Sequence, residues 1–185
     1  MLLNTASIAL TLAFAAIAPA GTNILGERIF TFCKLNKDKK VGDGDCYDLA
    51  QHALAAAGAR PESRNQNFPN KEDYVWGILV LYVESRESGL KSAGRIKDVQ
   101  PGDVIQFRDT KFAGKNSSDG GAYTLKFSHH TAVVAGVDKD GKVIRILHQN
   151  FGGKKVVLEG SITPEHLQSG WMRIYRPNPE KFRRF

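Results

Sequence analysis

Apolar residues recur every three or four positions between residues 46 and 57, the spacing that places them along one face of a helix. Asp45 precedes this stretch as a capping residue, Asp48 can bond to the first turn, and Gly58 follows as a stop signal. A shorter helix is predicted from Ile24 to Leu35. The buried stripe of the longer helix is expected to contain Cys46, Leu49, Ala50, Ala53, Leu54 and Ala57.

Strand-like alternation dominates the second half of the chain. A Pro-Gly turn at residues 101–102 leads into one strand, and residues 109–126 are expected to form a long polar loop. Residues 74–80 form an apolar, strand-like block that the pattern allows to continue as a helix to residue 87. Helices followed by an antiparallel sheet make an α+β fold, with the N-terminal helices packed on the C-terminal sheet. The remaining predicted strands are residues 130–137, 142–150, 155–158 and 171–175, with a helical-looking segment at 163–167.

The turn at residues 138–141 predicts how two of these strands pair. Its sequence, Asp-Lys-Asp-Gly, suits a three-residue hairpin connection with the glycine in the left-handed conformation. Side chains alternate along strands, so His130, His148 and Asn150 are then expected to share one face of the sheet. The predicted pairs are Asp138–Lys142, Ala132–His148 and His130–Asn150.

Cys46 is the candidate nucleophile. A thiol at a helix start feels the partial positive charge of the helix N-terminus, which favours the thiolate, and this one should face the sheet. The structural alternative is a small core residue. Cys33 lies in an apolar stretch and is expected as a buried thiol. A Cys33–Cys46 disulfide would abolish nucleophilic chemistry, and it would require the intervening chain to fold back onto the longer helix.

Together these residues predict a nucleophile, a base and an orienting group. Cys46 would attack a carbonyl, His130 would take its proton, and His148 or Asn150 would hold the other ring nitrogen of His130. The backbone N–H of Cys46 would serve as an oxyanion donor. His129 alternates to the opposite face and is interpreted as surface or core. A metal site of His129, His130 and His148 lacks the usual ligand spacing.

Four segments resemble, in order, the motifs of CHAP amidase/peptidases, and NlpC-type cell-wall peptidases share the same papain-like fold. The resemblance implies that Cys46 is the nucleophile, His130 the base and Asn150 the asparagine of a Glu-Gln-Asn motif. His148 departs from the glutamate of that motif, and Asp45 replaces a glutamine that often precedes the cysteine. Asp45 and Tyr47 are further candidates for substrate contact. The segments are GDGDCYDLA (42–50), PGDVI (101–105), HTAVV (130–134) and HQNFGG (148–153).

Length and composition favour one soluble domain over residues 21–185. Residues 1–20 contain an apolar run that ends in Ala-Pro-Ala. This pattern predicts a secretory signal peptide and a secreted or periplasmic protein. The net charge of +7 suits an anionic cell envelope, but it is diffuse and does not by itself indicate nucleic-acid binding.

The sequence therefore predicts a monomeric cysteine hydrolase without cofactor or metal, acting on an amide bond in a peptide or peptidoglycan-like substrate. No stable membrane span is expected. The alternatives are a non-catalytic cell-envelope binding module on the same fold and an acyltransferase that uses the same residues.

Overall fold

The computed structural model describes residues 23–64, 73–116 and 119–180. The predicted signal peptide at residues 1–20 lies outside these residues. Two α-helices come first, and the described residues then form nine strands. The helices are α1 (Ile24–Leu35) and α2 (Cys46–Ala57), and the strands are β1 (Ser63–Arg64), β2 (Tyr74–Val75), β3 (Ile78–Arg86), β4 (Gly89–Gly94), β5 (Val104–Lys115), β6 (Ala122–Val137), β7 (Ile144–His148), β8 (Leu158–Ile162) and β9 (Leu167–Arg176).

Seven of the strands form one antiparallel sheet in the order β4-β3-β9-β5-β6-β7-β8, while β1 and β2 pair separately. The α+β architecture predicted from the sequence is confirmed. Both helices have the predicted bounds, and α2 ends at Gly58 in the left-handed conformation (φ 71°). Neither of the described α-helices is both long and apolar enough to cross a membrane.

The two faces of the sheet support two separate cores. On one face, the buried stripe of α2 packs with Ile29 and Cys33 of α1 and with the strand residues Val104, Val133 and Leu147. On the other face, the strands pack on one another through Ile105, Phe107, Phe112, Phe127, Ala132, Val134, Ile146, Met172 and Ile174. Neighbours along β5 and β6 alternate between these cores, as the pleat requires.

Two segments differ from their sequence-based expectations. The predicted loop at residues 109–126 is mostly strand, because β5 continues to Lys115 and β6 starts at Ala122. β5 contains a bulge beside Asp109 (φ 51°), where its pairing with β9 shifts in register, and the strand continues beyond it. Residues 74–87 contain β2 and β3 and no helix, so the predicted helical continuation is wrong. β3 pairs with β4 on one side and with β9 on the other.

The β6–β7 hairpin reaches the predicted pairing by an unexpected route. At the turn, the N–H of Asp138 bonds to the carbonyl of Val143, so the connection is one residue longer than predicted. A bulge at Ala135 then adds one residue to β6. The two deviations cancel, and Val133 pairs with Leu147, which is the register predicted for this part of the hairpin.

Candidate active site

The start of α2 is shaped by the carboxylate of Asp48. Its Oδ2 accepts the backbone N–H groups of Asp43 at 2.8 Å and Asp45 at 3.2 Å. These bonds fold the preceding loop back onto the first helical turn, as the sequence predicts. Asp45 is the extended N-cap residue, and Cys46 is therefore the first residue of the helix.

Cys46 reaches the sheet at the point where β6 and β7 separate. Their ladder ends at Val133–Leu147, although both strands continue beyond that pair. The N–H of Val134 points to the side of β6 that faces β5. Backbone N–H groups alternate in direction along a strand, so the N–H of Thr131 points towards β7. That N–H lies near the sulfur of Cys46 and lowers the pKa of the thiol. We call the gap between Thr131 on β6 and His148 on β7 the seam.

The environment of Cys46 favours the thiol over the thiolate. Burial raises its pKa and is the largest influence; the N–H groups of Thr131 and Tyr47 lower the pKa, and the charge of Asp45 raises it. The expectation that the helix start would favour the thiolate is wrong in net direction, because desolvation outweighs the amide groups. Cys46 is half-buried and both cysteines are free, so the Cys33–Cys46 disulfide does not form.

His130 and His148 form a hydrogen-bonded pair across the seam. The Nε2 of His130 lies 2.9 Å from the Nδ1 of His148, and the two rings are nearly perpendicular. The residues are only 4% and 3% exposed. Burial lowers the pKa of His130 to about 3, with a smaller contribution from His148, and lowers the pKa of His148 to about 4. Both rings are therefore neutral at physiological pH.

Aromatic side chains enclose this pair. Phe127 stacks on the ring of His130 with centroids 4.6 Å apart, and Phe151 lies 5.2 Å from the ring of His148. These contacts place both imidazoles on the sheet face that is turned away from α2. The seam is where Cys46, coming from the α2 side, reaches the backbone beside His130.

Asn150 does not join the histidines. β7 ends at His148, and Asn150 adopts a left-handed conformation (φ 61°) that interrupts the alternation of side chains. Its Nδ2 instead donates to the Oδ1 of Asp45 at 3.3 Å. The expectation that Asn150 shares a face with His130 is therefore wrong, and His148 is the residue that contacts His130.

The two candidate substrate contacts have structural roles in the fold. The ring of Tyr47 packs against Tyr74 and Trp76, with centroids 4.9 and 5.5 Å away, and its hydroxyl bonds to Glu62. Asp45 is exposed and binds Asn150 and, at 3.8 Å, the Nζ of Lys155. Both residues therefore make contacts within the protein near the start of α2.

His129 lies on the other face from His130, as predicted. It pairs across the ladder with Arg108, whose guanidinium bonds to the carboxylate of Asp73 at 2.6 Å. Across the residues that the structure describes, no cluster of three or more His, Cys, Asp or Glu side chains has the arrangement of a metal site.

Two buried glutamines near the site were not predicted from the sequence. The amide of Gln149 bonds to the backbone of Val41 and Asp45, just before Cys46. The amide of Gln106 accepts from the indole of Trp76 at 3.1 Å and donates to the carbonyl of His130 at 3.4 Å. Both are 0% exposed. Alternation from His148 is the sequence signal that places Gln149 towards α2.

A helix-borne thiol that meets a histidine-bearing antiparallel sheet defines a domain of the cysteine proteinase fold. The chain belongs to the AIM3/BBC1 cysteine proteinase-fold domain family, whose model matches residues 20–184. The papain-like expectation is thereby confirmed at the level of the fold. The closer relation to CHAP and NlpC enzymes stays a prediction.

Two curated relatives are similar to this chain. Altered inheritance of mitochondria protein 3 of Debaryomyces hansenii is 26% identical over 163 residues, 86% of this chain and 16% of that protein. SH3 domain-containing protein C23A1.17 of Schizosaccharomyces pombe is 23% identical over 153 residues, 82% of this chain and 9% of that protein. The chain thus spans a small part of both relatives.

Two solved structures are also similar to this chain. One is the crystal structure of Ly7917, with 19% identity, coverage of 81% of this chain and 62% of that one, and a TM-score of 0.44. The other is Ly7917 with the hydrolyzing product of MDP, with 18% identity, coverage of 82% and 62%, and a TM-score of 0.45.

Proposed function

We propose that this domain is a papain-like cysteine hydrolase that cleaves an amide bond, with Cys46 as nucleophile, His130 as base and His148 as the orienting group. The observation that carries the proposal is the His130–His148 pair at 2.9 Å, in which His130 is next in the chain to Thr131, whose backbone N–H lies near the Cys46 sulfur. Cys46 on the α2 side and the two histidines on the opposite side of the sheet thus border the same seam.

The proton positions follow from the hydrogen bond between the rings. If the Nε2–H of His130 donates to the Nδ1 of His148, then the Nδ1 of His130 carries a lone pair that can accept the thiol proton. The sulfur then adds to the amide carbonyl, and the imidazolium returns the proton to the leaving amine. Water, deprotonated by the same nitrogen, hydrolyses the resulting thioester.

The protonation states of the thiol and the two histidines determine when the proton is transferred. Both rings are neutral and the thiol is protonated, so the resting site holds no thiolate–imidazolium pair. His148 is uncharged where a carboxylate would stabilise the imidazolium. We therefore infer that proton transfer accompanies the attack on the carbonyl, and that His148 slows the reaction relative to a carboxylate partner.

The substrate class rests on the motif resemblance. A peptide amide, including peptidoglycan peptides, is the substrate that the CHAP-like segments suggest, and export by residues 1–20 belongs to the same proposal. Acyl transfer to an amine would use the same three residues and would differ only in the acceptor.

A second candidate is a non-catalytic binding module, and one observation favours it. Burial shifts the pKa of the thiol upwards and the pKa of both histidines downwards, each in the direction that suppresses the ionised forms. The names of the two relatives refer to mitochondrial inheritance and to an SH3 domain, and neither name states an enzymatic activity.

The deciding experiment compares the parent protein with Cys46→Ser and Cys33→Ser on peptide pools and purified peptidoglycan. A hydrolase is expected to lose activity in Cys46→Ser and to keep it in Cys33→Ser. Equal hydrolysis by the parent and Cys46→Ser would exclude Cys46 as nucleophile. Absence of hydrolysis, together with a Cys46 that iodoacetamide modifies only in denaturant, would exclude the hydrolase and favour the binding module.

A further inference from the structure

Gln149 is a fully buried polar residue directly after β7. It is 0% exposed, yet its amide is well provided with partners. The Nε2 group donates to the carbonyl of Val41 at 2.8 Å and to the carbonyl of Asp45 at 2.7 Å. The Oε1 accepts the backbone N–H of Val41 at 3.2 Å. Both donor hydrogens and the acceptor oxygen of this side chain are therefore in use.

These three bonds hold the loop of residues 41–45 at its two ends. Asp45 is the N-cap of α2, so its carbonyl is one peptide unit from Cys46. Gln149 is itself one residue from His148. A single side chain thus joins the strand that carries the orienting histidine to the backbone that carries the thiol.

We propose that Gln149 is a positioning residue that holds the start of α2, and with it the Cys46 sulfur, at the seam. This inference rests on the proposed function, since the position of the thiol matters most if the thiol reacts. Glutamate lacks the two donor hydrogens, and asparagine is one methylene too short to reach both ends of the loop. Only the glutamine amide supplies this set of partners at this length.

A purely structural role for Gln149 predicts a different result. Loss of three buried hydrogen bonds would then lower the free energy of unfolding and leave the titration of the folded protein's thiol unchanged. A positioning role predicts that release of the loop exposes Cys46 to water. Because burial is the largest influence on its pKa, the pKa of the thiol should then fall.

The test measures the rate of Cys46 alkylation by iodoacetamide against pH in the parent, Gln149→Met and Gln149→Asn. Methionine keeps the length without hydrogen bonds, and asparagine keeps the amide at reduced reach. Thr110→Val is the matched control, because it removes a buried hydroxyl that bonds to the carbonyl of Phe127 within the β5–β6 hairpin. Each protein is first checked for a cooperative unfolding transition.

We expect the apparent thiol pKa to fall in Gln149→Met, less so in Gln149→Asn, and not at all in Thr110→Val. A fall of one unit raises the thiolate fraction near neutral pH about tenfold, and the alkylation rate by roughly three- to fourfold, because the nucleophilicity of a thiolate falls with its pKa. On a hydrolysed substrate, the same variant should lose kcat, so that reactivity and catalysis move in opposite directions.

An unchanged pH profile of alkylation in folded Gln149→Met would overturn the positioning role. If that variant does not fold, Gln149→Asn decides by the same measurement. Alkylation needs no substrate, so a failure of the hydrolase proposal, seen as an inactive parent, is distinguishable from a failure of this inference.

Discussion

His130 and His148 face each other at 2.9 Å, and because both rings are neutral, a single hydrogen lies between the two nitrogens. If that hydrogen belongs to His130, its Nδ1 is a base. If it belongs to His148, the Nδ1 of His130 carries a hydrogen and cannot accept a proton. The identity of the residue at position 148 therefore controls whether the base is available.

Replacement of His148 by glutamate should strengthen the base. A carboxylate facing the Nε2 of His130 favours the imidazolium, so the pKa of His130 should rise well above about 3. We expect faster alkylation of Cys46 near neutral pH and faster hydrolysis. NMR titration of the His130 ring measures the pKa, and His148→Gln is the neutral control. An unchanged pKa in His148→Glu would contradict the assigned contact.

The buried histidine pair should make the fold sensitive to acid. The pKa of each ring is about 6.5 in the unfolded chain and is lowered to about 3 and about 4 in the folded state. As the pH falls below 6.5, the unfolded chain binds protons that the folded state does not. The free energy of unfolding then falls by about 1.4 kcal/mol per pH unit for each histidine.

This loss is expected between pH 6.5 and about 4, and urea unfolding at several pH values measures it. Replacement of both rings by glutamine should flatten the dependence in that window. A parent protein whose stability is flat from pH 6.5 to 4.5 would show that the rings are protonated in the folded state.

The two conventional substitutions of Cys46 should differ in stability. Alanine removes the sulfur that lies near the N–H of Thr131. If the sulfur is the acceptor for that N–H, its loss should cost about 1–3 kcal/mol, because the residue is buried. Serine keeps a hydrogen-bonding atom at this position and should cost less. Denaturant midpoints of the two variants, compared with the parent, check the difference. Equal midpoints would mean that the sulfur is not a hydrogen-bond acceptor for Thr131.

Removal of the hydroxyl of Tyr47 should affect stability and leave the thiol unchanged. Tyr47→Phe keeps the ring contacts with Tyr74 and Trp76 and loses the bond to Glu62. We expect a loss of about 1 kcal/mol in the free energy of unfolding. The pH profile of Cys46 alkylation should match that of the parent. A shifted profile would return Tyr47 to the candidate site.

Local patterns were sufficient to predict the helices and the pairing of the histidines. The i, i+3, i+4 stripe and Gly58 fixed α2, and side-chain alternation placed His130 and His148 together. The pairing emerged correctly although the turn is one residue longer than predicted, because the bulge at Ala135 compensates. Neither the longer turn nor the bulge has an evident signal in the sequence.

Features that depend on tertiary surroundings could not be predicted in the same way. The pKa of Cys46 is governed by burial, which a single sequence does not report. The course of β5 through Asp109 depends on pairing with two neighbours. Asn150 left the predicted face because of one backbone angle. For Cys46 and for β5, the decisive partners lie far away along the chain.

The position of the Cys46 sulfur near the amide of Thr131 suits a structural role that does not depend on any reaction. Where β6 and β7 separate, the N–H of Thr131 has no partner in the ladder between them, and the sulfur of Cys46 lies near it. A catalytically inactive member of the family could still keep a cysteine at this position for structural reasons. The presence of the residue is therefore weaker evidence of catalysis than its measured reactivity.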